Sequence, residues 1–360
     1  MSDLPVLAIG VDGGASGVRA LAVRRRADGL LEAAGAIARR GHDPFEATDF
    51  VSQRDEAADP RRSESEVAHA RARMRATADV VEEAADGHRR IALGICWPGQ
   101  KTPDGRGVSA ARNGPRTPAF LDELEPELTR RGLELAVPIP RLASDGVTGA
   151  LGERWAVAGG MRDVRDALYF AGGSGLAEAL LVAGRVRALE EIAPPLPKAF
   201  VVRIPSWQIT LKGLDRDLAV YEDALSPGRW SKSAGKLHPS LALLAGHGRV
   251  DWSEVVRLEP KRIAPILRMA ADALVRYIQD RMQRLREGGG IVPERAVVGA
   301  RLGALIALPA ARAMLRDRIV ERLRAAELPE DFVRASTLLE APSYGAAALA
   351  LGLENEACPS

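Results

Sequence analysis

The chain has 360 residues, 46% of them hydrophobic and 27% charged, which is ordinary for a globular protein with a large core and leaves room for two domains. Fifty basic against 48 acidic side chains leave a net charge of +2, too balanced to point to a nucleic-acid or membrane partner. Two distant cysteines cannot frame a disulfide scaffold and fit a reducing cytoplasm, no apolar run approaches the roughly 18 residues of a membrane span, and the N-terminus lacks the features of a secretory signal.

Strands are predicted over 6–12 and 17–23, with a third around 30–38. Between the first two lies Asp12-Gly13-Gly14-Ala15-Ser16-Gly17, a carboxylate delivered into a turn of small residues. Such a turn suits phosphate. Gly14 lets the backbone approach an anion, Ser16 can donate to a phosphate oxygen, and Asp12 can hold a magnesium ion directly or through water. The same residues also suit a hairpin whose glycines merely serve the turn.

Residues 42–64 are polar and read as a solvated loop, with a substrate lid as the alternative. A helix over 66–85, a buried strand over 91–96 and a helix near 119–131 follow. Ser144 and Asp145 then precede a helix-like run. Both are good helix caps, and Asp145 can also serve as a general base. Next comes a second strand, turn and strand, whose Gly172-Gly173-Ser174-Gly175 offers further backbone N–H groups to an anion. Arg262–Arg286 carries Ile263, Ile266, Leu267, Ala270, Leu274, Ile278, Met282 and Leu285 at helical spacing, and the glycines 288–290 stop it. A third glycine turn includes Gly299 and Gly303, and a small-residue helix returns near the C-terminus. This alternation of strands and helices supports an α/β architecture of two similar domains about a cleft.

Three simpler assignments fail or carry little. Gly10 and Gly13 do not complete a dinucleotide-binding Gly-x-Gly-x-x-Gly motif, and a strand follows them where a helix is required. His238 and His247 have no nearby cysteines or paired carboxylates and read as loop or pocket histidines. Six lysines against forty-four arginines read as codon bias.

The order of these motifs resembles the actin/hexokinase/Hsp70 superfamily of ATP-binding proteins, and within it the ROK-family sugar kinases, over about residues 8–352. Asp12, Gly14 and Ser16 resemble the superfamily's first phosphate motif. Gly94-Ile95-Cys96-Trp97-Pro98-Gly99 resembles the ROK Gly-x-x-x-Pro-Gly turn, Asn113 falls at its sugar-contacting asparagine, and the segment from Ser144 to Glu153 resembles the ROK run whose aspartate is the catalytic base. Glu222 matches a sugar-contacting glutamate and Glu191 can match another. The departures lie in the sugar and zinc region. Pro194 stands at the family's histidine, Ser144 replaces an asparagine, and no cysteine lies between Cys96 and Cys358.

The resemblance implies a two-domain actin-like ATPase fold (ribonuclease H-like) with a central cleft. Its first domain would span 1–145, joined by a C-terminal helix at about 343–355, and its second 146–342. It further implies a cytoplasmic ATP- and Mg2+-dependent kinase acting on a sugar or sugar-derivative hydroxyl, with homodimerisation as a family expectation, whereas the absence of cysteines between Cys96 and Cys358 removes the family's structural zinc. Asp145 would be the base, with Asp12, Gly14, Ser16, Gly172, Gly173, Ser174, Gly175, Gly299 and Gly303 holding the nucleotide and Asn113, Ser144, Glu191 and Glu222 the sugar. The altered recognition region leaves a catalytically inactive sugar- or nucleotide-binding regulator as the alternative.

Overall fold

The computed structural model describes residues 6–14, 16–43, 62–111, 114–188, 221–230, 250–356 and 358, with 222 and 223 described by backbone alone. Two compact units result: Met1–Val157 with Glu340–Ser360, and Ala158–Leu339.

The first unit is built on β1 (Leu7–Gly14), β2 (Gly17–Arg25), β3 (Leu31–Ala33), β4 (Ala38–Gly41), α1 (Glu64–Ala85), β5 (Arg90–Cys96), β6 (Gln100–Lys101), β7 (Val108–Ala110), α2 (Phe120–Arg130), β8 (Glu134–Leu135) and α3 (Asp145–Trp155). Its main sheet has the order β3-β2-β1-β5-β8, with β4 also paired to β2. The third strand predicted over 30–38 is thus two short ones, β3 beside residues 23–25 and β4 beside residues 17–20 of the same neighbour. The chain bends between them at 34–37. On one face of the sheet, Ile9, Val11, Ile91 and Ile95 pack with Val80 and Val81 of α1 and Leu121, Leu124 and Leu128 of α2.

The other face is covered by the C-terminal helix, Ala341–Ala350. Gly10 and Gly94 are register partners on β1 and β5, and a Cβ on either would lie 1.7 Å from the Ser343 carbonyl oxygen or 1.8 Å from that of Ala346. Gly345 of the helix meets the Thr148 carbonyl of α3 in the same way, at 1.7 Å. Only glycine admits backbones at this distance. This packing also accounts for the position of α3, which lies in the first unit although the sequence reading begins the second domain at residue 146; the division falls after Val157.

The second unit comprises β9 (Ala167–Gly172), β10 (Leu176–Val182), β11 (Arg185–Arg187), α4 (Tyr221–Leu225), α5 (Trp252–Leu258), α6 (Pro260–Gly289), β12 (Arg295–Gly299), α7 (Ala300–Ala307), α8 (Arg316–Ala325) and β13 (Val333–Ala335). Its sheet runs β11-β10-β9-β12-β13. The first hairpin is antiparallel and the last two pairs are parallel, which is the order and sense of the first unit's β3-β2-β1-β5-β8. Each unit therefore opens with a hairpin bent at a glycine turn. The apolar stripe of α6 forms the core with Phe170 and Val298, and Gly290, at φ 65°, closes the helix.

Candidate phosphate-transfer site

In the first unit, β1 and β2 close on the register pair Gly14 and Gly17, leaving a two-residue turn that includes Ser16. Asp12 lies opposite Arg19 and is almost fully buried. Its Oδ2 accepts from Arg19 Nη2 at 2.7 Å and its Oδ1 from the Cys96 thiol at 3.3 Å. Burial pushes the Asp12 carboxyl up, Arg19 pulls it down, and the charge of Asp145 raises it again. Arg19 also reaches Glu340 through Nη1 at 3.0 Å, and Glu340 accepts from Arg39 at 2.8 Å. Gly13 lies flat against the Trp97 ring, where a Cβ would come within 2.1 Å, whereas a Cβ on Gly14 would meet nothing closer than 3.4 Å. The backbone at Gly14 is the open part of the turn.

Asp145 begins α3, immediately after Ser144, whose side chain caps the helix by accepting from Val147 N at 3.3 Å. The cap role of the sequence reading therefore falls to Ser144. Asp145 Oδ1 accepts from Gly146 N at 3.0 Å. Burial raises the Asp145 carboxyl above the usual range, and the Lys101 ammonium lowers it. Lys101 is anchored by the turn at Gly99, φ 106°, donating to the Trp97 and Gly99 carbonyls at 2.6 and 2.9 Å. A carboxylate whose proton affinity is raised, at a helix N-terminus and within electrostatic reach of the Asp12 hairpin, has the properties of a general base.

In the second unit, the turn Gly172–Gly175 joins β9 to β10. A Cβ on Gly172 would lie 2.0 Å from the Leu225 carbonyl, Gly228 N donates to the Gly173 carbonyl at 2.8 Å, and Gly173 N donates to Gly175 O at 2.9 Å. The segment after α4 thus braces the turn from behind. Gly173's N–H is committed within the turn, and Ser174 is exposed. Gly299 caps α7 and Ala300 follows at φ 54°, a left-handed conformation unusual for a residue with a Cβ. Gly303 serves packing, since a Cβ there would lie 2.2 Å from the Val298 carbonyl. Beside α7, a cavity of about 240 Å3 is lined by Asp251, Trp252, Arg301 and Leu305, among others.

Asn113 and Glu191 lie outside the described residues, as does the side chain of Glu222, whose backbone lies in α4. Among the described residues, no group of three or more His, Cys, Asp or Glu side chains is placed to hold a metal. With both Asp12 oxygens engaged, this donor set fits a magnesium ion held through water and by nucleotide phosphates, not one caged by protein oxygens.

No family model matches the sequence, and no curated protein matches it. Solved structures do match. A ROK-family glucokinase from Streptomyces griseus, in complex with glucose and AMPPNP, is 18% identical and aligns over 96% of this chain and 99% of its own, with a TM-score of 0.61. The chain has the ROK-family fold. A ROK hexokinase from Thermus thermophilus aligns over 97% of this chain and 99% of its own at 18% identity and a TM-score of 0.55. A ROK-family transcriptional regulator, a homologue of the E. coli MLC protein, covers 98% of this chain and 80% of its own at 14% identity and 0.58. The ROK fold is thus shared here by proteins described as kinases and by one described as a regulator.

Three site residues escaped the sequence reading. Arg19 stands seven residues after Asp12, and only strand register brings the two together. Lys101 had no motif. His42, read as part of a polar loop, donates its backbone N–H to Ser16 O at 3.2 Å. Its Nε2 is enclosed without a hydrogen-bond partner, and burial with the nearby Arg73 charge pushes its pKa down to about 4.

Proposed function

We propose that the chain is an ATP-dependent, magnesium-requiring kinase for a sugar or sugar-derivative hydroxyl. The observation that carries this reading is the place of Asp145, a half-buried carboxylate at the start of α3 and within electrostatic reach of the Asp12 hairpin, in a ROK fold. In the reaction, Asp145 takes the proton of the acceptor hydroxyl as its oxygen attacks the γ-phosphorus. The bond from phosphorus to the ADP oxygen breaks, and ADP departs with that electron pair. The open backbone at Gly14 and the turn at Ser174 and Gly175 offer donors to phosphate oxygens, and Arg19 adds a fixed positive charge next to Asp12. Asp12 would hold a magnesium ion through water, and the ion would supply further neutralisation of phosphate charge. Asn113, Ser144, Glu191 and Glu222 are the proposed sugar contacts, and the fold's solved kinase relatives support both substrates of the reaction.

A second reading, a non-catalytic sugar- or nucleotide-binding regulator, is favoured by one observation: a ROK transcriptional regulator shares the fold over 98% of this chain. Two measurements test the readings. Mg-ATP at about 100 times its dissociation constant adds roughly 2.7 kcal/mol to the folded state and raises the Tm of a kinase or of a nucleotide-binding regulator. An ATP-consumption screen over neutral sugars, amino sugars and sugar acids then finds turnover if the kinase reading holds. Binding without turnover of any acceptor favours the regulator, and absence of any nucleotide shift contradicts both ATP-dependent forms.

A further inference from the structure

Between α6 and α8, on the second unit, lies a cavity of about 550 Å3, none of whose lining residues is among those proposed for phosphate transfer. Arg268, Asp272 and Arg276 stand one turn apart along α6, and Arg318 and Arg322 stand one turn apart along α8. Asp272 is their common fixture. Its Oδ1 accepts from Arg318 Nε at 2.9 Å and from Arg322 Nε at 2.7 Å, while its Oδ2 takes the Nη2 groups of the same two residues at 3.3 and 3.4 Å. One carboxylate therefore holds two guanidiniums edge-on. These arginines keep Asp272 ionised, lowering its carboxyl against the effect of burial.

Other carboxylates also face two guanidiniums, as Glu32 faces Arg24 and Arg26, and Glu127 faces Arg130 and Arg131, but neither lines this cavity. In the groove, four guanidiniums surround a single lining carboxylate. Glu321, off the groove, takes Arg318 Nη1, whereas Arg322 keeps Nη1 and Arg268 keeps its whole exposed guanidinium out of any ion pair among the described residues. Clustered like charges repel, and an anion between them relieves that repulsion. Met269 and Val275 add apolar lining, and the volume falls within the roughly 300–1,000 Å3 of small-molecule sites.

We propose that this groove is a second ligand site, which takes a small molecule carrying a doubly charged phosphoryl group. With the Nε/Nη2 edges of Arg318 and Arg322 taken by Asp272, Arg322 Nη1 on α8 and the Arg268 guanidinium on α6 offer donors from two sides to a tetrahedral oxyanion with several acceptor oxygens. The assignment is independent of the kinase reading.

The test is calorimetric titration of the whole protein with inorganic pyrophosphate at physiological salt, with and without saturating AMPPNP. A site that persists with AMPPNP present is expected, and the double substitution Arg268→Gln/Arg322→Gln should weaken it by at least about tenfold, the effect of one lost charge-assisted hydrogen bond. Asp272→Asn is decisive because it makes the groove more positive while loosening both forks. A built site binds pyrophosphate more weakly in this variant, and a merely basic surface binds it more tightly. Unchanged melting curves confirm folding of the variants. No binding, binding displaced by AMPPNP, binding unaltered in the double variant, or tighter binding in Asp272→Asn would each overturn the assignment.

Discussion

Arg19 donates to Asp12 at 2.7 Å across the first hairpin, and with its other Nη it holds Glu340 at the start of the C-terminal helix. A guanidinium fixed at both edges loses little freedom when a phosphate arrives. If this charge stabilises the transferring phosphoryl group, Arg19→Gln lowers kcat by about 10²-fold, the scale for removing one preorganised donor. Arg19→Lys restores charge without the fork and recovers only part of the loss. Steady-state kinetics with the acceptor identified by the screen measure both.

Two adjacent glycines of the hairpin should behave differently. Gly13→Ala drives a methyl group into the Trp97 ring and costs about 1–3 kcal/mol of stability, read as a lower denaturation midpoint. Gly14→Ala has space for its Cβ, so the protein keeps its stability while its Mg-ATP-induced rise in Tm shrinks. Equal loss of stability in both variants would contradict the assignment of Gly14 as the open part of the turn.

The C-terminal helix gives a purely structural prediction. Gly345→Ala sets a Cβ 1.7 Å from the Thr148 carbonyl, backbone against backbone, and should destabilise the protein by at least about 1–3 kcal/mol. Gly352→Ala, beyond the helix and with open space around it, should cost less, through its positive φ alone.

What the sequence disclosed follows from the range of the interactions. The hairpins, their glycine turns, α1 and α6 carry local signals of alternation, helical spacing and stop residues, and the structure has them with shifts of a few residues at the ends. The order of phosphate motifs was legible because each is a short contiguous run. Arg19 beside Asp12, Lys101 within electrostatic reach of Asp145, and the clamp of Gly172 by Leu225 arise from register and packing between distant segments, which no local pattern encodes. The short helices α5 and α8, of seven and ten residues, escaped because each is too short to show a sustained helical period. The domain boundary was misplaced for a similar reason: α3 continues from Asp145 in sequence, but its glycine contacts tie it to the C-terminal helix.

The missing cysteine cluster predicts the metal content. Between Cys96 and Cys358 the chain has no thiol, so elemental analysis of the purified protein should find no stoichiometric zinc. One tightly held zinc per chain would show that another donor set has replaced the cysteines.

Asp145 provides the most direct test of the central claim. Its folded-state proton affinity is raised above the unfolded value of 3.8, so its contribution to stability is complete below that pH and is lost as pH rises through the raised value. At neutral pH the buried charge therefore weakens the fold, and Asp145→Asn, which can still accept from Gly146, should melt at a higher temperature than the wild type. The same substitution removes the base. With the acceptor found by the screen and direct detection of the phosphorylated product, the wild type should show an acid limb above the ordinary carboxylate range. Asp145→Asn should bind Mg-ATP normally yet turn over about 10²–10⁴-fold more slowly. A variant that keeps wild-type kcat would show that Asp145 is not the base and that the proposed mechanism is wrong.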